Sequence, residues 1–103
     1  VSALPLRGGC QCGGVRFEVG KPLLAAGYCH CSKCRRRTGT AASASAFVEP
    51  SSVTVTEGAE LLRAWRPGDG IERVFCGTCG SPLWSAREID HDVLVLRLGV
   101  LDG

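Results

Sequence analysis

Hydrophobic positions in this chain recur with a period of two and in short runs. Val15, Phe17 and Val19 alternate with Arg16 and Glu18, the signature of a strand with one face buried. Similar runs follow at residues 23–28, 42–48, 53–56, 61–65, 71–75 and 93–98. Turn signals divide them, at Glu57-Gly58 and at Gly68-Asp69-Gly70 after Pro67, the latter a hairpin turn. No helical period persists beyond a turn or two. Only residues 32–38 are expected to form a short helix, with Ser32 as its cap. The pattern predicts a mainly β fold of short antiparallel strands with little helix. Trp65, Trp84, Phe47 and Phe75 are expected to pack in its core, and Tyr28 to pack at a strand end or to orient a ligand.

Length and composition sharpen this picture at one point. Residues 1–103 read as a single domain, and a domain of that size buries only about 65% of its unfolded surface. It needs a staple, and the seven cysteines are the candidates. An odd count cannot pair completely, and a disulfide across a C-x-C spacing would be strained. No leader is legible in residues 1–6, and the run at 93–101 is too short for a bilayer and broken by Arg97. A cytoplasmic protein with thiolates held on metal is the consistent expectation. The formal net charge of +2 counts every cysteine as neutral; with seven thiolates and two Zn²⁺ the chain comes close to neutrality. That removes the general electrostatic case for nucleic acid. The chain ends at Asp102-Gly103 directly after a strand, which suggests a truncated C-terminus.

The cysteines fall in three clusters: Cys10-Gln11-Cys12, Cys29-His30-Cys31-Ser32-Lys33-Cys34, and Cys76-Gly77-Thr78-Cys79. Tetrahedral zinc takes thiolates at about 2.3 Å, and close spacing presents them together. Cys29, Cys31 and Cys34 can chelate one ion by themselves. Cys10, Cys12, Cys76 and Cys79 then form a complete structural site that closes a long loop. Glycines after Cys12, Cys76 and Cys79 allow amide N–H groups to approach the sulfurs. Three protein ligands leave a position for substrate, as catalytic zinc requires. The alternative is closure by a fourth ligand, for which His30 and His91 are the candidates.

Around these clusters the sequence resembles the glutathione-dependent formaldehyde-activating enzyme family, which includes centromere-protein-V-type proteins. The matching pieces are Gly9-Cys10-Gln11-Cys12-Gly13 with Val15-Arg16-Phe17, the cluster from Cys29 to Arg35 with Thr38-Gly39, the stretch from Phe75 to Leu83, and Gly99-Val100-Leu101-Asp102. The resemblance implies a β-tent-like zinc fold, shared with B-type methionine sulfoxide reductases and Rab-associated zinc chaperones. It also implies the same ligand division, with the reactive zinc on Cys29, Cys31 and Cys34. The activity implied is carbon–sulfur lyase chemistry on S-hydroxymethylglutathione, the adduct of formaldehyde and glutathione. Lys33, Arg35 and Arg36, with Arg37, would bind the carboxylates of glutathione. His30 is the candidate proton carrier, and Ser32 a polar neighbour of the substrate. The competing reading is a non-catalytic zinc module whose basic run contacts nucleic acid or a protein partner; the short, isolated run disfavours nucleic acid, and no membrane partner is expected.

Overall fold

A computed structural model describes residues 4–89 and 92–102, so the expectation for His91 lies outside the described residues. The strands form two antiparallel sheets. The smaller contains β1 (Leu6–Gly9), β2 (Arg16–Val19) and β5 (Val53–Glu57), in that order. The larger runs β3 (Ala25–Cys29), β4 (Ser43–Val48), β9 (Leu94–Arg97), β8 (Pro82–Arg87), β7 (Ile71–Cys76), β6 (Leu62–Trp65). Among the described residues one α-helix, α1 (Ser32–Thr38), follows β3, and three short 3-10 turns lie elsewhere. The mainly β expectation therefore holds.

Register assigns the two faces of the larger sheet. Val74 pairs with Trp84, Trp84 with Leu96, and Leu96 with Ala46, so these four share one face. That face packs on the smaller sheet, where Phe17 meets Trp84 edge-on with ring centroids 5.7 Å apart. Phe17, Val15, Val19, Val48, Leu83 and Leu96 are all essentially solvent-free. Burying each such side chain contributes roughly 1.5–3 kcal/mol.

The opposite face is built differently. Arg73 pairs with Ser85, Ser85 with Val95, and Val95 with Phe47; Arg97 pairs with Ser45, and Cys29 with Ser43. Alternation along each strand places all of these on the second face. Helix α1 lies over it.

Three expectations need correction. Among the four aromatic residues assigned to the core, only Trp84 belongs there. Trp65 is 53% exposed and Phe47 48% exposed, and Phe75 is half-buried. The latter three stand on the second face, where a cavity replaces a second layer. Tyr28 is exposed on the edge strand β3 rather than packed. The helix cap is Cys31, not Ser32: its Sγ accepts a hydrogen bond from the Cys34 amide at 3.4 Å, and α1 ends at Gly39 in the left-handed conformation.

Strands β1 and β8 were not legible in the sequence. β1 is four residues long and ends in two glycines. β8 shows no alternation because Leu83, Trp84, Ser85 and Ala86 are all buried, in a central strand covered on both sides.

Candidate metal centre

Both cysteine groups form as the spacing predicts. The sulfurs of Cys10, Cys12, Cys76 and Cys79 lie within 4.8 Å of one another, and so do those of Cys29, Cys31 and Cys34. All seven are free thiols. The first group brings the turn after β1 against the turn between β7 and β8. In the Cys10–Cys12 turn the Gly13 amide donates to the Cys10 carbonyl at 3.1 Å; in the Cys76–Cys79 turn the Gly80 amide donates to the Cys76 carbonyl at 2.8 Å. Gly13 and Gly80 have φ of +79° and +80°, which favours glycine at the close of both turns. Ser81 links them: its Oγ accepts from the Gln11 amide at 2.9 Å and lies 3.2 Å from the Cys79 sulfur. Nothing local in the sequence marks Ser81 for this task, because its partner Gln11 lies 70 residues away.

The donor chemistry fits zinc. Four thiolates at about 2.3 Å in a tetrahedron stand about 3.8 Å apart. Cys10 and Cys12 are separated by 3.4 Å, Cys12 and Cys76 by 3.9 Å, and Cys29 and Cys31 by 3.5 Å. Backbone amides already point at the sulfurs: Val15 at Cys10 (3.3 Å), Thr78 at Cys76 (3.4 Å) and Cys34 at Cys31 (3.4 Å). Such bonds favour thiolate over thiol. Ser81, through its hydroxyl and amide, draws the Cys79 thiol down to about 5. The Gly14 amide favours the Cys12 thiolate, but crowding by Cys10, Cys79 and Cys76, with burial, pushes that thiol up to about 11. In the second group the Cys34 amide and the Cys29 side chain lower Cys31 to about 7, whereas burial and then its two sulfur neighbours raise Cys34. These opposed shifts express repulsion between thiolates confined together, which a divalent cation relieves.

The two groups differ in completeness and setting. Among the described residues no fourth histidine, cysteine or carboxylate joins Cys29, Cys31 and Cys34. His30 is exposed, and its ring nitrogens lie outside the sulfur group. A cavity of about 360 Å³ opens beside this group, walled by Cys29, Cys34, Lys33 and Arg37 and floored by the second face of the larger sheet. A neighbouring cavity of about 780 Å³ shares Lys33, Arg37 and Arg73 and adds Arg36, Trp65 and Phe75.

The predicted basic residues separate at this point. Lys33 lines both cavities and reaches Asp69 at 3.4 Å. Arg36 lines the larger one. Arg35 lines neither, and its Nε donates to the His30 carbonyl at 3.0 Å. Ser32 is exposed at the helix start and lines neither cavity. Arg73 and Arg97 reach the same space from β7 and β9 and were not singled out as ligand-binding, because nothing local marks them.

Fold and site define a small, mainly β protein with two cysteine centres able to hold metal, one complete in its own ligands and one facing a cationic cavity. Residues 5–103 match the model of the glutathione-dependent formaldehyde-activating enzyme family, and the chain belongs to that family. A Halomonas elongata protein that bears this enzyme name provisionally is 36% identical over 85 residues, which is 77% of this chain and 54% of that protein. A similarly named Emericella nidulans protein is 30% identical over 84 residues, covering 80% of this chain and 43% of the relative. The chain thus spans about half the length of the curated relatives it matches. A crystal structure of a Rhodobacter sphaeroides protein is similar at a TM-score of 0.77 and 33% identity, over 94% of this chain and 88% of the other.

Proposed function

We propose that this chain makes or breaks a carbon–sulfur bond in a thiol–aldehyde adduct such as S-hydroxymethylglutathione, using zinc on Cys29, Cys31 and Cys34. The observation that carries the reading is the contrast between the two sulfur groups. Four ligands complete one centre at a strand junction, while the three-sulfur group, whose Cys29 and Cys34 line a cavity, has no fourth protein donor among the described residues. Zinc held there would supply a Lewis-acid position that keeps a substrate thiol deprotonated near neutral pH. In the synthetic direction the thiol sulfur bonds to the aldehyde carbon. The carbonyl π pair moves to oxygen, and the thiol proton ends on that oxygen, so no oxidant or reductant is needed.

The chain's own residues contribute position and proton handling. The Cys34 amide and the short helix hold Cys31 in place, and pairing of Cys29 with Ser43 fixes the strand end. The cavity confines thiol and aldehyde together, where proximity supplies much of the acceleration. His30, exposed between two ligands, is assigned the exchange of the proton with solvent. His30→Gln is expected to slow turnover at least about tenfold without altering metal content; unchanged turnover removes His30 from the mechanism.

The reading is tested by the visible spectrum of cobalt-substituted protein titrated with glutathione. A saturable change in the absorption bands, lost in Cys31→Ser, is expected. A spectrum indifferent to glutathione with both sites loaded would overturn the reading and leave a non-catalytic metal module.

A further inference from the structure

We propose that Arg37, Arg97 and Arg73 form an anion subsite that seats a carboxylate of the thiol substrate on the floor of the smaller cavity. The proposal rests on the thiol reading for the identity of its ligand, but the site itself stands on geometry. The three guanidinium groups come from α1, β9 and β7 and line one space of about 360 Å³ with Lys33. Among the described residues no aspartate or glutamate lines that space. Allowing −1 for zinc on three thiolates and −1 for Asp69, which pairs with both Arg73 and Lys33, the four cations still leave a net charge of about +2, carried by Arg37 and Arg97.

The partners of these groups show which charge is unmet. Arg73 is neutralised from the side, with both terminal nitrogens on Asp69 at 2.9 Å. Arg97 meets only neutral partners among its described hydrogen bonds: its Nη1 donates to Ser45 Oγ at 2.8 Å and its Nη2 to Ser85 Oγ at 3.4 Å. Arg37 stacks 5.4 Å over the Phe75 ring, and its buried Nε has no hydrogen-bond partner. Burial, and then repulsion from Arg97 and Arg73, disfavour the Arg37 charge. Ser43 is 2% exposed and lines the same wall; its hydroxyl has no well-formed hydrogen bond, although it stands near enough to Cys34 to favour that thiolate. Unpaired buried donors and mutually repelling cations are relieved together by one bound anion.

The spacing selects the ligand. Cys29 pairs with Ser43, and Arg97 pairs with Ser45 two residues along the same strand. Cys29 and Arg97 flank β4, so their backbones stand about 10 Å apart across the sheet and about 7 Å apart along it. Arg97 narrows that gap by reaching over β4 to Ser45 Oγ at 2.8 Å. A thiol held at the sulfur group and carrying a carboxylate one peptide unit away, as in a cysteinylglycine unit, has the length to meet that guanidinium. The planar forks of Arg37 and Arg97 match a carboxylate.

Two measurements on the metal-loaded protein separate this proposal from the reading it extends. The first compares N-acetylcysteinylglycine with its C-terminal amide as titrants of the cobalt-substituted protein. The acid is expected to act at a concentration at least about tenfold lower, an advantage that collapses in Arg37→Ala and in Arg97→Lys. Arg97→Lys keeps the charge and removes only the fork, so it serves if Arg37→Ala fails to fold. Equal potency of acid and amide would overturn the subsite while leaving the thiol reading intact. The second follows the side-chain Nε–H resonances of Arg37 and Arg97 in the zinc protein during a propionate titration at constant ionic strength. Saturable shifts are expected whether or not thiols bind the cysteines. Their absence overturns the subsite, and tighter binding of inorganic phosphate than of propionate overturns its assignment to a carboxylate.

Discussion

Cys76→Ser is expected to abolish cooperative folding. Cys76 is fully buried at the end of β7, and its group ties the turn after β1 to the β7–β8 turn across 64 residues of sequence. Structural zinc on thiolates is worth roughly 10–16 kcal/mol, whereas domains of this size are stable by about 5–15 kcal/mol. Removing one ligand forfeits much of that binding energy and leaves three crowded thiols against the buried Val15 and Phe17. The measurement is thermal unfolding followed by circular dichroism, with metal content determined in parallel. A cooperative melt in Cys76→Ser near the wild-type midpoint would show that the packed sheets alone sustain the fold. Treatment with a strong chelator should reproduce the substitution, since it removes the same tie.

Cys31→Ser is expected to do the opposite, sparing the fold and removing the chemistry. Cys29, Cys31 and Cys34 lie within six residues, so their centre closes no long loop. Cys31 is exposed and caps α1 through the Cys34 amide. Serine is itself a favoured cap, so the substitution preserves that hydrogen bond in kind. The melting midpoint should move by no more than about 5 °C. Exchange between free formaldehyde and the glutathione adduct, followed by NMR exchange spectroscopy, should slow by at least about a thousandfold relative to the loaded wild type. Retained exchange in Cys31→Ser would remove the three-sulfur centre from the reaction. Collapse of the fold would show that this centre, too, is structural. The pair of substitutions thus assigns stability and chemistry to different cysteines of one chain.

Part of this design was present in local spacing. Three cysteines within six residues meet almost wherever the backbone goes, so a chelating group at Cys29, Cys31 and Cys34 is a local property. The two remaining pairs each sit on a tight glycine-closed turn, and four ligands are the natural complement of one tetrahedral ion. Alternation along Val15–Phe17–Val19 likewise dictated a half-buried strand and its inward face. The turn at Gly68-Asp69-Gly70 placed the β6–β7 hairpin.

What the sequence could not determine was the far side of the larger sheet. The order β3-β4-β9-β8-β7-β6 brings together strands distant along the chain, and only that order sets Arg97 beside Ser45 and Arg73 beside Ser85. Read linearly, Arg97 is an interruption of an apolar run, and Phe47, Phe75 and Trp65 are ordinary core candidates. Register turns them all to one face, and α1 roofs that face without filling it. Cysteine spacing acts over a few bonds and is therefore fixed by sequence; a cavity is the space left between packed elements, and only the tertiary arrangement creates it.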